Sequence, residues 1–189
     1  MTLHRVKTPL TEIDINALRS GDQVLLSGTI FTARDAAHKR MTELLEKGED
    51  LPISLKGQII YYVGPCPARP GQVIGSAGPT TAYRMDPFTP AMFEYGIKGT
   101  IGKGPRRDYV KEACSKYRGV YLAGIGGASA LLARAVRKVE IVAYEDLGTE
   151  AVRRLEIEDF PLIVAYDIHG GDVFAEEIPK YADLVIKNC

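Results

Sequence analysis

The order of strand and helix patterns is the feature that most constrains the fold of this 189-residue chain. Strand patterns largely alternate with helix patterns from residue 23 to residue 139, and three strand patterns then follow one another between residues 140 and 170. Strict alternation favours a parallel, doubly wound sheet, whereas consecutive strands favour antiparallel pairs. The order therefore predicts an α/β domain over residues 1–189, with a mixed sheet, helices and an additional β layer.

Individual segments give this order. Val24, Leu26 and Ile30 recur on one face of residues 23–33, which is typical of a half-buried strand. Further strands are predicted at residues 57–65, 71–79, 98–104, 120–127, 140–147, 152–160 and 161–170. Helices are predicted at residues 34–50, 87–96, 105–119, 128–139 and 176–189.

Charge and cysteine content restrict the function classes. Lysine plus arginine equals aspartate plus glutamate, 24 against 24, so no overall charge attracts nucleic acid or an anionic membrane. No segment approaches the ~20 apolar residues of a membrane span, and we expect a cytoplasmic protein. Cys66, Cys114 and Cys189 lack the spacing of a local metal or cluster site, and Cys114 fits a buried thiol on a helix.

The segment GSAGPTTAYRMDPFTP, residues 75–90, is the first candidate site. If a helical turn begins at Thr80, its hydroxyl and the Arg84 guanidinium face the same way, next to free N–H groups. Such a surface suits a carboxylate or phosphate, which arginine binds in bidentate fashion. The alternative is structural: Thr80 or Thr81 caps a helix, and Arg84 pairs with Asp86 at the surface.

Two further candidates follow strand patterns. Arg34 stands where the first strand meets a helix, with His38 four residues on; a structural histidine and an Asp35–Lys39 surface pair are the alternatives. Lys103 lies between two glycines at a strand end, where backbone approaches a ligand closely, or is simply a solvated loop lysine.

The segment GIGGASA, residues 124–130, invites comparison with a dinucleotide-binding turn. Gly124 and Gly126 occupy the first two glycine positions of that motif, but Ser129 occupies the third. A glycine turn that opens a helix explains the segment equally well. The segment DIHGGD, residues 167–172, fits a turn between strands, and no metal site is predicted there.

Six segments together resemble one known family. They are GTIFTARDAAHKR, IIYYVGP, VIGSAGPTTAYRMDPFTP, GTIGKG, GIGGASA and PLIVAYDIHGGDVF. The family is the β subunit of two-subunit class I fumarate hydratases, equivalent to the C-terminal domain of the single-chain enzymes. The resemblance extends from about residue 10 to about residue 180, and GPTTxxRMDPFTP is its most specific part.

The resemblance implies a swivelling β/β/α fold and half of an active site. The family's [4Fe-4S] cluster is held by the α subunit, one of its irons being open to the substrate. The substrate, malate or fumarate, would bind at the subunit interface. The expected partners are thus a cluster-bearing α subunit and a dicarboxylate, with a homodimer possible for the isolated chain.

The resemblance also implies roles for particular residues. Arg34 and Arg84 would hold the substrate carboxylates, and Lys103 would add positive charge to the same pocket. Thr80 matches the position proposed to abstract the C3 proton of malate, and it would need an activating group from the α subunit because a hydroxyl is a weak base. Supporting positions are His38, Thr81 and Gly78.

Two alternatives stay open. The closely related β subunit of L(+)-tartrate dehydratase shares much of the pattern, although the aspartate and proline after Arg84-Met85 favour fumarase. A module that binds dicarboxylates without catalysis is the alternative from another class.

Overall fold

A mixed β-sheet forms the centre of the protein, for which a computed structural model describes residues 1–125 and 127–186. Gly126 and Cys189, considered above, lie outside the described residues. The strands are β1 (Leu3–Lys7), β2 (Gln23–Thr32), β3 (Ile59–Tyr61), β4 (Gly99–Gly102), β5 (Val120–Ala123), β6 (Val136–Ala143) and β7 (Val152–Tyr166). The α-helices are α1 (Glu12–Ala17), α2 (Asp35–Glu46), α3 (Thr89–Tyr95), α4 (Asp108–Tyr117), α5 (Ser129–Arg134) and α6 (Val173–Ile186). Two 3₁₀ helices cover Ala82–Met85 and Glu145–Glu150.

The seven described strands form one sheet in the order β1-β2-β3-β4-β5-β7-β6. The first five are parallel, and β7 pairs antiparallel with β5 and with β6. β7 also pairs antiparallel with β2, which closes β2, β3, β4, β5 and β7 into a ring. Strands therefore face one another across an enclosed interior. The predicted α/β class, with a mixed sheet, helices and a further β layer, is confirmed.

The two faces of the central strands belong to different cores. Along β3, Ile59 and Tyr61 belong to the inner cluster, whereas Ile60 and the following Tyr62 belong to the outer one, because successive side chains of a strand point to opposite faces. The inner cluster is formed largely by the strands, and α2, α3 and α4 contribute to the outer cluster. None of the helices in the described ranges is long and apolar enough to cross a membrane.

Some predicted elements are wrong. Residues 71–79 form a loop rather than a strand: Gly75 packs so tightly against Cys66 and Pro67 that a Cβ would lie 2.3 Å from the Cys66 carbonyl oxygen. The helix predicted at residues 128–139 ends at Arg134, where β6 soon begins. The elements β1 and α1 were not predicted.

The two strands predicted at residues 152–160 and 161–170 are one strand, β7. Asp159, directly before Phe160-Pro161, has a left-handed φ of 49°, and the pairing with β2 shifts register between Leu26 and Gly28. These irregularities interrupt the regular pairing without ending the strand.

Candidate active site

The carboxyl ends of β2, β3, β4 and β5 meet at one edge of the sheet because these strands are parallel. Arg34 follows β2, and Lys103 follows β4. The Thr80 N–H donates to the carbonyl of Tyr62, just after β3, at 2.7 Å, and the Thr80 carbonyl accepts from the Lys103 N–H at 3.1 Å. In open α/β sheets and in closed β/α barrels alike, ligands bind at the carboxyl ends of the parallel strands. The topology thus places the three candidate segments next to one another.

Backbone contacts hold the two threonines in place. Thr81 forms a parallel β-bridge with Lys103. Gly78 approaches α5 so closely that a Cβ would lie 2.3 Å from the Ser129 Oγ, so no larger residue fits there without a shift. Within the part of the chain that the structure describes, neither the Thr80 nor the Thr81 hydroxyl has a hydrogen-bond partner. Both hydroxyls are therefore available to a ligand.

Arg34 and Arg84 meet at one carboxylate. The Nη2 of Arg84 lies 3.0 Å from the Asp35 Oδ2, although the angle is not that of a hydrogen bond, and the Nη2 of Arg34 lies 3.8 Å from the same oxygen. Arg34 Nη2 is also 3.5 Å from the Glu150 Oε1. Gly64 leaves room for Arg34, since a Cβ there would lie 2.9 Å from its Nη1.

The Arg34 guanidinium has unused hydrogen-bonding capacity. Its Nε is buried and has no hydrogen-bond partner among the described residues. The distances from its Nη2 to Asp35 and Glu150 exceed those of good charge-assisted hydrogen bonds. A buried donor left unsatisfied is costly, and such a group in a native structure points to a missing partner. The 21% of the Arg34 side chain that is exposed is available to an anionic ligand.

Positive charge exceeds negative charge at this edge. Lys103 is exposed and has no ion-pair partner among residues 1–125 and 127–186. Arg34, Arg84 and Lys103 are thus accompanied by two carboxylates, those of Asp35 and Glu150. These five side chains carry a net positive charge, which favours an anionic ligand at this edge.

His38 lies beside this edge but is enclosed. Its Nδ1 lies 2.8 Å from the Arg34 carbonyl oxygen, and its ring packs against the rings of Tyr62 and Phe88. Burial lowers the pKa of His38 to about 4, so the ring is neutral at physiological pH. The supporting role predicted for His38 stays a prediction, and its contact is with the Arg34 backbone.

Two ion pairs considered from the sequence are not observed. Arg84 contacts Asp35 instead of Asp86, because the Asp86 side chain is fully buried and pairs with Arg106. Lys39 lies 3.9 Å from Glu43 rather than beside Asp35. Asp35 was not predicted as a partner of both arginines, although its position directly after Arg34 was an available signal.

The described residues offer no cluster site. No group of three or more histidine, cysteine or acidic side chains within them could hold a metal ion. Cys66 is exposed, whereas Cys114 is buried, as predicted, and burial raises the pKa of its thiol to about 12.

Cys66 lines a cavity of about 560 Å³ together with Pro67, Arg69, Gln72, Val73, Ile74, Gly75, Ser76, Ala130, Ala133, Arg134 and Val136. None of the seven predicted site residues is among them.

Comparison with known proteins identifies similar sequences. A family model described as fumarase C-terminus matches residues 2–177. Fumarate hydratase 1, mitochondrial, from Leishmania major is 44% identical over 169 residues, which are 88% of this chain and 30% of that protein. Fumarate hydratase class I, anaerobic, from Escherichia coli K12 is 41% identical over 157 residues, which are 82% of this chain and 29% of that protein. The chain therefore spans about 30% of the length of these two relatives.

One relative is similar along almost its entire length. A Methanocaldococcus jannaschii protein with the provisional name L(+)-tartrate dehydratase subunit beta is 41% identical over 177 residues, which are 90% of both chains. That name describes a subunit rather than a complete enzyme.

Proposed function

The chain belongs to the family described as fumarase C-terminus, and we propose that it is the β subunit of a heteromeric hydro-lyase that interconverts (S)-malate with fumarate and water. The observation on which this proposal depends is the convergence of Arg34, Arg84, Thr80 and Lys103 at one edge of the sheet. These side chains come from three segments separated in sequence. They supply cationic groups for two carboxylates and a hydroxyl next to them.

The arginines and the lysine would bind and orient the substrate. A planar guanidinium can donate two parallel hydrogen bonds to one carboxylate, which fixes the carboxylate in direction as well as position. Arg34 and Arg84 are near enough to share the Asp35 carboxylate, so both are near one point of this edge. Lys103 adds a third positive charge. Substrate binding would replace the long contacts from Arg34 to Asp35 and Glu150 with shorter hydrogen bonds to a substrate carboxylate.

Thr80 would accept the proton from C3 of malate while the C2 hydroxyl departs, leaving the double bond of fumarate. A threonine hydroxyl is a weak base, so a general base must take its proton. The charged groups observed nearby are the cationic Arg34, Arg84 and Lys103 and the two carboxylates that accompany the arginines. We therefore place the activating group on a partner subunit.

The [4Fe-4S] cluster would also belong to that partner. The described residues do not fit a cluster, since no three potential ligands lie together and one of the two described cysteines is buried. The short length of the chain relative to the two fumarate hydratases, and the subunit named in the M. jannaschii relative, support a division of the enzyme between two chains.

Tartrate dehydration is the second candidate function, favoured by the similarity of 41% over 90% of both chains to that relative. Tartrate resembles malate in its two carboxylates and adds a hydroxyl. The same cationic residues would bind either substrate, and the added hydroxyl would need its own hydrogen-bond partner. The noncatalytic dicarboxylate-binding module is the further alternative.

The decisive experiment is reconstitution. The chain is co-expressed with a candidate cluster-bearing partner, the cluster is rebuilt without oxygen, and L-malate and L-tartrate are offered separately. Malate turnover that requires both chains is the expected result. Preferential tartrate turnover would assign the chain to the tartrate enzyme, and no turnover by a complex with an intact cluster would favour the binding module.

A further inference from the structure

We propose that the buried ion pair between Asp86 and Arg106 is a positioning device, which sets the distance between the substrate-binding groups Arg84 and Lys103. This inference rests on the proposed function for the roles of Arg84 and Lys103. Among the described residues, Asp86 pairs with Arg106, whereas the Arg84 side chain pairs with Asp35. Both of its side chains are fully buried.

Arg106 has a partner on each side of its guanidinium. Its Nε donates to the Asp86 Oδ1, and its Nη2 donates to the Thr89 Oγ1 at 2.5 Å. The rings of Tyr62 and Tyr121 lie against it, with centroids 5.3 and 5.0 Å from its Cζ. A lysine could not reproduce this set, because an ammonium lacks the planar fork.

Each partner is close in sequence to a predicted substrate-binding residue. Asp86 lies two residues after Arg84, at the end of the 3₁₀ helix Ala82–Met85. Arg106 lies three residues after Lys103. The second Asp86 oxygen accepts from the Arg107 N–H at 3.0 Å, so Asp86 binds both the side chain and the backbone of the other segment.

The loop that begins at Lys103 is held at several points. The Tyr121 hydroxyl donates to the Gly104 carbonyl at 2.8 Å. The Arg106 N–H donates to the Tyr166 hydroxyl at 2.8 Å, and that hydroxyl donates in turn to the Arg106 carbonyl at 3.0 Å. These bonds are made by residues outside the predicted site. They hold Gly104 and Arg106, one and three residues after Lys103, to tyrosines of β5 and β7.

Stability alone does not explain such a pair. Removing two charges from water costs about as much as their attraction returns, and apolar residues of the same volume often replace a buried pair without loss. A buried pair does enforce one register, since Asp86 and Arg106 must meet for either to be satisfied. Here the pair joins the segment that carries Arg84 to the segment that carries Lys103, and under the proposed function both cations bind the same ligand.

The test uses the reconstituted two-chain enzyme with Asp86→Asn, and with Thr89→Val as a milder change that removes one acceptor of Arg106. We expect the KM for malate to rise by about tenfold in Asp86→Asn and less in Thr89→Val, with a smaller change in kcat, because binding of the carboxylates is lost in ground and transition states alike. Partial unfolding would instead lower kcat per total protein and leave KM unchanged. The control is Glu158→Gln, which removes the exposed pair with Arg137.

A second readout does not depend on activity. The Lys103 N–H donates to the Thr80 carbonyl and the Ala82 N–H donates to the Lys103 carbonyl, so both bonds join the two segments. Hydrogen exchange at these two N–H groups should accelerate in Asp86→Asn. Exchange of the Val164 N–H, which donates to the Asp22 carbonyl, should stay slow. Unchanged KM and unchanged exchange in both variants would overturn the inference. An inactive wild-type complex would contradict the proposed function instead, and the exchange result would still decide the positioning role.

Discussion

Acidification should destabilise this chain through His38. The imidazole is enclosed in its neutral form between aromatic rings, and burial lowers its pKa from 6.5 to about 4. Above pH 6.5 neither the folded nor the unfolded chain binds the proton. Between pH 6.5 and pH 4 the unfolded chain binds it and the folded chain does not, so stability falls as the pH falls through this window.

The size of the loss follows from the two pKa values. Each unit of pKa difference corresponds to about 1.4 kcal/mol. The His38 contribution to the loss is therefore about 2 kcal/mol at pH 5 and about 3 kcal/mol at pH 4, relative to pH 7. A domain of ordinary stability, about 5 to 15 kcal/mol, would lose a measurable share of it.

Urea unfolding at pH 7 and pH 5 measures this loss. His38→Asn keeps a donor near the Nδ1 position for the Arg34 carbonyl and removes the titrating group. We expect the wild-type chain to lose about 2 kcal/mol more than this variant between the two pH values. His169→Gln is the matched control, because His169 is exposed. Equal losses in wild type and His38→Asn would refute the argument.

Three further predictions concern the candidate site. Arg84→Lys keeps the charge but loses the planar fork, and kcat/KM for malate should fall at least about tenfold in the reconstituted enzyme; near-normal turnover would count against a carboxylate-binding role. Thr80→Val should lower kcat by about 10² or more with little change in KM, whereas Thr81→Val should lower kcat much less. Equal losses of kcat in the two variants would contradict the role of Thr80 as the proton acceptor. Gly78→Ala should lower the melting temperature because its Cβ would lie 2.3 Å from the Ser129 Oγ. Adding Ser129→Ala should restore part of the loss, and no recovery would place the strain elsewhere.

Local patterns were sufficient for most of the elements. The alternation of Val24, Leu26 and Ile30 predicted β2, and these side chains are buried in the inner cluster. The predicted helix at residues 105–119 is present as α4, with Cys114 buried. These features depend on the period of buried side chains, which is 2 in strands and about 3.6 in helices.

Patterns failed where long-range contacts decide the local structure. Residues 71–79 contain the β-branched pair Val73-Ile74, which favours a strand, but they form a loop, because the chain folds back on Cys66 and Pro67. β7 continues through Pro161, at which the sequence predicts a break, since β2 supplies antiparallel pairing on both sides of it.

The sequence by itself determined the residue types of the candidate site. A hydroxyl pair, two arginines and a lysine next to glycines indicate an anionic ligand through their chemistry alone, and their motifs indicate the family. Only the tertiary structure decided their partners. Asp35 pairs with Arg84 and not with Lys39. Asp86 is buried and pairs with Arg106 and not with Arg84. The His38 ring is buried. The physical reason is that the parallel strands bring three distant segments to one edge, and an ion pair between residues 20 or more positions apart has no local pattern in the sequence.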